Sequence, residues 1–314
     1  MKSAGPARHV APLSPRARVA IIGAGRVGSA FALALASCGY EITALVARRS
    51  TSARRAQRLL AERGYAPPLA LRAQDMASIP CSHLFIIATP DDSIFATAQL
   101  LNSALSHDLA GCIALHASGA LSSETLAPLR ASGCSIGSIH PLAAINDAIS
   151  GADKLKEAFF CLEGEPKAVR TARRIVRDLG AQSFSVASER KALYHAAAVM
   201  SAGHVVALFD IALDLLRRCD LQPRMAQKAL SSLLLSTAEN LCRTSPSRAL
   251  TGPIARGDLE TVRRHIAALN AHASAEALTI YGQLGLHALE LVATSRLDAQ
   301  TAQAMQQALR RFAK

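Results

Sequence analysis

Short apolar runs and amphipathic stretches alternate along the first half of the chain. Seven of the runs predict strands: RVAIIG (18–23), EITALVA (41–47), HLFIIAT (83–89), GCIALH (111–116), GSIHPL (137–142), AFFCLEG (158–164) and QSFSVAS (182–188). The stretches between them predict helices, at 26–38, 51–63, 93–105 and 166–179. Apolar strands that alternate with helices indicate an α/β fold, with a mostly parallel sheet covered by helices on both faces.

Strand signals stop after residue 188, and the rest of the chain has helical periodicity. We expect long helices over 189–218, 222–242, 258–293 and 298–313. The sequence therefore predicts a nucleotide-type α/β domain at 17–187 followed by an all-helical domain at 188–314. Residues 1–16 are rich in Pro, Gly and basic residues, so we expect a flexible tail there.

Composition and charge exclude several classes of partner. The 314 residues carry a net charge of +12, but the basic residues are scattered in pairs, aromatic residues make up 4% and Trp is absent. This distribution of basic and aromatic residues is not typical of a nucleic-acid-binding protein, whereas the positive charge is compatible with an anionic small molecule. No apolar run approaches the roughly 20 residues of a membrane span, and the N-terminus lacks an apolar signal core. We expect a cytoplasmic protein with no membrane contact.

The seven cysteines are odd in number and form no CxxC pair. Several lie in apolar strand-like runs, so buried free thiols are expected rather than disulfides or metal ligands.

The motif GAGRVG follows the first strand and opens a helix. Gly23 permits a tight turn, Gly25 lets a pyrophosphate approach the backbone, and Gly28 allows close helix packing. The helix start at Arg26 and Val27 attracts phosphate charge. The motif predicts a dinucleotide site.

The second strand ends in LVARRS, where a site that prefers NAD usually carries Asp or Glu. Here Arg48, Arg49 and Ser50 follow the strand instead. Guanidinium groups suit a 2′-phosphate, which favours NADP (NADPH) over NAD. A solvated basic helix start is the alternative interpretation.

Three further loops follow predicted strands: TPDDS (89–93), HASGA (116–120) and HPL (140–142). Open α/β sheets bind ligands at the carboxyl ends of their strands, so these loops share a rim with the glycine motif. We assign Thr89 and Pro90 to the cofactor site. A histidine after a strand is often structural, but the convergence on one rim makes His116, Ser118 and His140 candidates for an active site.

Two segments of the helical half carry candidate chemistry. Lys191 and His195 lie four residues apart and therefore share a helix face, although a helix-start lysine and a satisfied core histidine give the same pattern. In TGPIARGD (251–258), Asp258 suits a helix N-cap, which would make the turn structural. Alternatively, Arg256 binds a substrate carboxylate. Both interpretations of this turn stay open.

Together these motifs resemble a family of predicted NADP oxidoreductases in which a Rossmann-like domain precedes a helical domain of unknown function. The resemblance rests on GAGRVGSAFALALASCGY, IIATPDDSI, LHASGALSSETL, GSIHPL, KALYHAAAV and ALTGPIARGD, in that order, and spans roughly residues 17–290. More distantly the chain is similar to ketopantoate reductase and the 3-hydroxyacid and 6-phosphogluconate dehydrogenases.

The resemblance implies roles for individual residues. In the dehydrogenases a lysine opens the first helix after the nucleotide domain, an asparagine follows four residues later, and both point into the interdomain cleft. Lys191 matches the lysine, His195 takes the asparagine position, and Ser118 with Gly119 corresponds to a substrate-contacting Ser-Gly pair. On an ideal helix His204 faces nearly opposite His195, so we do not include it among the candidate site residues.

We therefore expect hydride transfer from NADPH to a small carbonyl substrate, such as a 2-oxo acid. Lys191 is expected to stabilise the oxygen and protonate it, while His195, Ser118 and His116 orient the substrate or relay the proton; His140 and Arg256 are further substrate contacts. An imine reductase and a non-catalytic NADP(H) sensor are the alternatives. The long apolar helix over 199–216 predicts a homodimer through the C-terminal half.

Overall fold

The computed structural model describes residues 17–105 and 109–313, which form two compact units. The first unit ends at Ala202 and the second begins at Gly203. The tail predicted at 1–16 lies outside the described residues. The first unit contains the sheet and also the helix that carries Lys191 and His195.

An eight-stranded sheet organises the first unit. Its strands are β1 (Arg18–Ile22), β2 (Glu41–Ala47), β3 (Leu69–Arg72), β4 (Leu84–Ile87), β5 (Ile113–His116), β6 (Ser135–Leu142), β7 (Phe159–Gly164) and β8 (Gln182–Ser185). The spatial order is β3-β2-β1-β4-β5-β6-β7-β8, and every neighbouring pair is parallel except β6 and β7. The predicted mostly parallel α/β sheet is confirmed. The order reverses at β1, the switch point where such sheets bind ligands.

The strand β3 was not predicted. It has four residues, LALR, of which Leu71 alone is buried, and it pairs only with β2 at the edge of the sheet. So short and partly polar a segment carries too little periodicity to be recognised. The seven predicted strands are all present, with ends shifted by a few residues.

Helices cover both faces of the sheet. They are α1 (Arg26–Ser37), α2 (Ser50–Ala61), α3 (Asp91–Leu105), α4 (Ala127–Ala131), α5 (Ala148–Glu157) and α6 (Pro166–Asp178), and a further helix, α7 (Lys191–Ser201), follows the last strand. Successive strand residues enter opposite cores: Ile21 and Leu45 pack on one side, Ile22 and Val46 on the other. Burial on both faces explains why the strands are continuously apolar.

The described residues of the second unit form helices and the loops between them, with no strand. Its helices are α8 (Gly203–Arg217), α9 (Pro223–Arg243), α10 (Pro246–Ala249), α11 (Pro253–Arg256), α12 (Leu259–His272), α13 (Ala275–Arg296) and α14 (Ala299–Arg310). The helix predicted over 258–293 is two helices, because the Ser274 side chain accepts a hydrogen bond from the Ala277 N–H and starts α13.

The helical stretch Ser188–Arg217 is long and apolar enough to cross a membrane, by length and composition alone. This corrects the expectation that no apolar run approaches that length. The backbone at Ala202 leaves helical geometry (φ −127°, ψ −73°) within the stretch. One helix of this kind is weak evidence for a span, and the cytoplasmic location stays a prediction.

Cys38, Cys81, Cys134, Cys161, Cys219 and Cys242 are free thiols. Cys112, Cys134 and Cys161 are buried as expected, whereas Cys38 is half-buried and Cys81, Cys219 and Cys242 are exposed. Among the described residues, no group of three or more His, Cys, Asp and Glu side chains is arranged to hold a metal ion.

Candidate active site

The glycine turn between β1 and α1 combines tight packing with one open position. Gly23 has φ +103°, and a Cβ there would lie 2.6 Å from the carbonyl carbon of Ala88. A Cβ on Gly28 would collide with the Gly23 carbonyl. At Gly25, by contrast, a Cβ would meet no atom within 4 Å. The first and third glycines are therefore needed for packing, and the second faces free space, as a site for a pyrophosphate requires.

A cleft of about 590 Å³ opens beside this turn. Its lining includes Gly23, Gly25, Arg48, Arg49, Ser52, Thr89 and Pro90. The Oγ1 atom of Thr89 is buried and has no hydrogen-bond partner among the described residues. An orphaned polar atom of this kind indicates a missing partner. Helix α1 starts without a side-chain cap and without an acidic residue in its first turn, so its N-terminus also suits an anion.

Of the ten predicted cofactor residues, six line this cleft and four do not. Val27, Gly28 and Ser50 lie outside the lining, and Arg26 lines a neighbouring cavity of about 340 Å³. Ser50 starts helix α2, whose first turn carries no acidic residue. Arg48 and Arg49 therefore lie at a helix N-terminus, which adds to their positive potential.

Two predicted histidines lie in contact at the carboxyl edge of the sheet. The rings of His140, on β6, and His195, on α7, are 5.5 Å apart between centroids and nearly perpendicular. A Cβ on Gly119 would lie 2.8 Å from His140 Nε2 and would collide with His195 Nδ1. The Nδ1 atom of His195 is buried and unpartnered within the described chain. Together with Tyr194, the residue before His195, these two histidines form what we call the histidine cluster.

Tyr194 joins this cluster from the same helix as His195. Its hydroxyl lies 2.7 Å from His140 Nδ1, and its ring packs edge-on against the His140 ring. Burial, then the neighbouring His195 and Lys191, lowers the pKa of His140 to about 4. His140 is therefore neutral at pH 7, with one ring nitrogen held by the tyrosine.

One hydrogen bond connects the cluster to the cleft. Asp91, the first residue of α3, follows the cleft residues Thr89 and Pro90. It accepts a 2.8 Å hydrogen bond from the hydroxyl of Ser118, the residue before Gly119. The loops after β4 and β5 are therefore fixed to one another.

His116 and Ser118 were expected to face substrate, and the structure does not support that expectation. His116 is 0% exposed: its Nδ1 accepts from the Ser118 N–H at 3.2 Å, which leaves Nε2 to donate to the Ser122 carbonyl at 3.1 Å. Burial, followed by the charge of Lys191, lowers its pKa to about 3. The Ser118 hydroxyl donates to Asp91 and accepts from the N–H groups of Ala120 and Leu121. A hydroxyl has one donor and two acceptor positions, and all are used.

Lys191 also departs from expectation. The resemblance implies an ammonium group that faces substrate, but the residue is 0% exposed. Its Nζ donates to the Ser118 carbonyl at 3.1 Å and to the Ser138 hydroxyl at 2.7 Å. Burial lowers the pKa of Lys191, and the nearby Glu163, Cys161 and Asp91 partly offset this effect. Lys191 and His195 share a helix, but the lysine lies in the interior of the unit.

The predicted residues of TGPIARGD lie in the second unit. The Asp258 carboxylate accepts from the Thr261 N–H at 3.0 Å and caps α12, which confirms the N-cap interpretation. Arg256 is exposed at the end of α11. Its contact with a substrate carboxylate stays a prediction. His204 is exposed on α8.

Sequence reasoning missed three residues of this region. Tyr194 is three residues after Lys191, a helical spacing that could have drawn attention to it. Asp91 lies within the quoted TPDDS motif but had no assigned role. Glu163, at the end of β7, carried no signal, because its contacts form across the sheet between distant segments.

The comparisons with known proteins agree with this architecture. Residues 4–141 match the family model for a Rossmann-like domain, and residues 158–288 match the domain of unknown function DUF2520. The resemblance to a family with a Rossmann-like domain and a helical domain of unknown function is confirmed, and the more distant similarity to ketopantoate reductase and the dehydrogenases stays a prediction. No curated protein matches the sequence significantly.

Solved structures with the same fold have low sequence identity. The structure of a candidate NADP oxidoreductase from Bacteroides fragilis has a TM-score of 0.70 and 21% identity over 88% of this chain and 99% of its own. A Thermotoga maritima protein has a TM-score of 0.66 and 23% identity, over 89% and 100%. A Plasmodium falciparum pyrroline carboxylate reductase with NADP bound has a TM-score of 0.52 and 12% identity, over 95% and 98%. At such identities the similarity establishes the fold.

The two buried histidines predict a loss of stability in acid. Because the pKa values of His116 and His140 lie near 3 and 4 in the native state, the unfolded chain binds more protons below pH 6.5. The stability that their neutral forms contribute is complete above pH 6.5 and falls as the pH drops towards 4. We expect each histidine to remove about 1.4 kcal/mol per pH unit in that window. Urea unfolding at pH 7, 6 and 5 measures the slope.

A His140→Asn variant is the comparison for this slope, because it removes one of the two sites of proton uptake. Its unfolding free energy should depend less steeply on pH than that of the wild type. Proton NMR should show no protonation of the two imidazoles above pH 5. Titration of both rings near pH 6.5 would contradict the assignment.

Proposed function

We propose, on the premise that this chain is a Rossmann-like protein with a DUF2520 domain, that it is an NADPH-dependent oxidoreductase. Its substrate is a small molecule with a reducible carbonyl carbon and a carboxylate, such as a 2-oxo acid. One observation carries the proposal: a cleft of about 590 Å³ and the histidine cluster lie at the same edge of one sheet, linked through Asp91 and Ser118. Each contains an orphaned buried polar atom, Thr89 Oγ1 and His195 Nδ1.

The residues around the cleft fit a phosphorylated dinucleotide. The open position at Gly25 and the uncapped start of α1 suit a pyrophosphate, while Arg48 and Arg49 suit a 2′-phosphate. When bound, NADPH supplies the hydride for the reduction. The NADP oxidoreductase and the NADP-bound reductase of the same fold support this cofactor.

His195 is the proposed proton donor. As the substrate carbon gains hydride, its oxygen gains negative charge and needs a proton. His195 has the orphaned ring nitrogen, whereas Ser118 and His116 have used their hydrogen-bonding positions on the protein. Neutral His140, held by Tyr194, orients the substrate beside it.

An imine substrate is the second candidate. A C=N carbon accepts hydride as a carbonyl carbon does, and its nitrogen then takes the proton. The Plasmodium neighbour acts on pyrroline carboxylate, a cyclic imine with a carboxylate, which favours this alternative. A non-catalytic NADP(H) sensor is the third candidate, and turnover distinguishes it from the other two.

The Arg48→Ala/Arg49→Ala double variant should lose its preference for NADPH. Removal of charge-assisted contacts to a 2′-phosphate costs about 1.5–3 kcal/mol, so the NADPH affinity should fall about 10- to 100-fold while the NADH affinity changes little. Calorimetric titration with both dinucleotides measures this. Arg54→Ala is the matched control, since Arg54 is exposed on α2 and does not line the cleft. Equal losses for the two dinucleotides would contradict the assignment.

The His195→Ala variant should lose turnover and keep its cofactor. Loss of a general acid lowers the rate by about 10²–10⁴-fold. NADPH oxidation against a panel of 2-oxo acids and cyclic imines identifies the substrate class, and dinucleotide titration shows whether binding is intact. Tight NADPH binding by the wild type without turnover on any member of the panel would support the sensor instead. Full turnover by the variant would remove His195 from the mechanism.

A homodimer through the second unit is also proposed. Helix α8 has no buried residue, and in α9 only Ala226 is buried among the described residues. These two helices expose many large apolar side chains: Val206, Leu208, Met225, Leu233, Leu234, Leu235 and Leu241. Apolar surface on this scale is typical of a protein–protein interface.

The dimer is tested by sedimentation at micromolar concentration. The wild type should sediment as a dimer, and Leu233→Glu should shift it towards the monomer because a charge enters the apolar interface. Leu69→Glu is the control, an exposed leucine on β3 in the first unit. A monomeric wild type would refute the proposal.

A further inference from the structure

We propose that Lys191, Ser138 and Glu163 form a buried, charge-compensated clamp that positions the histidine cluster, so that Lys191 is a positioning residue and not the proton donor. This inference deepens the proposed function and rests on it. The three residues lie on α7, β6 and β7, which the chain brings together from separate segments.

The hydrogen bonds of the clamp run from Lys191 through Ser138 to Glu163. Lys191 Nζ donates to Ser138 Oγ at 2.7 Å, and an ammonium group has no acceptor position. The serine hydroxyl therefore keeps its own proton free to donate, and Glu163 Oε2 lies 3.5 Å from it. Ser138 and Glu163 are register partners on the antiparallel pair β6 and β7. The sheet itself thus sets the distance between serine and carboxylate.

Glu163 supplies the charge that a buried ammonium needs. Its carboxylate is 8% exposed and accepts from the N–H and the hydroxyl of Ser123, each at 2.8 Å. Removal of either partner leaves the charge of the other uncompensated in the interior, and a buried unpaired charge is strongly destabilising. Asp91 and Cys161 also raise the pKa of Lys191 through their charge, but Asp91 is already bound to the Ser118 hydroxyl.

The clamp holds both ends of the loop that carries Gly119. Lys191 binds the Ser118 carbonyl directly before Gly119, and Glu163 binds Ser123 four residues after it. One helical turn beyond Lys191, Tyr194 and His195 meet His140 and Gly119. The contact between His195 and Gly119 has no room for a methyl group. A small movement of either loop or helix therefore displaces the imidazoles.

A charge cycle tests the clamp. The variants are Lys191→Met, Glu163→Gln and the double variant, each assayed for thermal stability, NADPH affinity and turnover. Each single variant should lower the melting temperature by about 6–10 °C, and the double variant should recover most of that loss, because no uncompensated charge remains. Turnover should follow the same pattern, with the double variant within about tenfold of the wild type and NADPH affinity unchanged.

The exposed pair Lys156 and Asp153 provides the matched control. The cycle of Lys156→Met, Asp153→Asn and their double variant should show negligible coupling and full turnover. If the single variants of the clamp fail to fold, the comparison of the double variant with the wild type decides the question by itself.

Two outcomes overturn the inference. A double variant that regains stability yet loses turnover 100-fold or more, and whose pH–rate profile also loses the ionisation of the general acid, would make Lys191 the proton donor. Melting temperatures that change additively would show that no clamp exists. The stability cycle needs no substrate, so a wild type without any reductase activity would refute the proposed function and leave the clamp to be judged separately.

Discussion

The hydrogen bond from the Ser118 hydroxyl to the Asp91 carboxylate connects the two parts of the candidate site. Asp91 begins the helix after β4, beside the cleft, and Ser118 begins the loop that leads to the histidines. Parallel strands bring these loops to one edge of the sheet, but strand direction alone does not fix their distance. Because Ser118 also binds the N–H groups of Ala120 and Leu121, the same hydroxyl shapes the loop at Gly119. The geometry around His195 depends on that arrangement.

The electrostatics of the first unit follow from burial. His116 and His140 are held neutral, which leaves them as hydrogen-bonding groups without charge near pH 7. The buried positive charge belongs to Lys191, and its compensation by Glu163 occurs across the sheet through Ser138. At the cleft, by contrast, Arg48 and Arg49 are exposed and available to an incoming anion. The buried charges of Lys191 and Glu163 therefore pair within the fold, whereas the exposed charges of Arg48 and Arg49 can bind an anion.

Local patterns predicted much of the fold and several residues that line the cleft. The glycine motif was recognisable because its spacing follows from backbone geometry at Gly23 and Gly28, and Arg48 and Arg49 line the cleft as expected. The environment of Lys191 was not predictable from its helical spacing with His195. That spacing shows that two residues share a helix face, but not which part of the face the neighbouring loops enclose. Glu163 was missed for a related reason, since its partners Ser123 and Ser138 are 40 and 25 residues away in sequence.

If the cleft and the histidine cluster are two parts of one active site, a dinucleotide in the cleft must extend to the histidines. A crystal structure of the protein with NADPH shows whether it does. We expect density for the pyrophosphate over Gly25, the 2′-phosphate beside Arg48 and Arg49, and the nicotinamide ring next to Gly119 and His195. A nicotinamide that lies away from both His140 and His195 would show that the cleft and the cluster are separate.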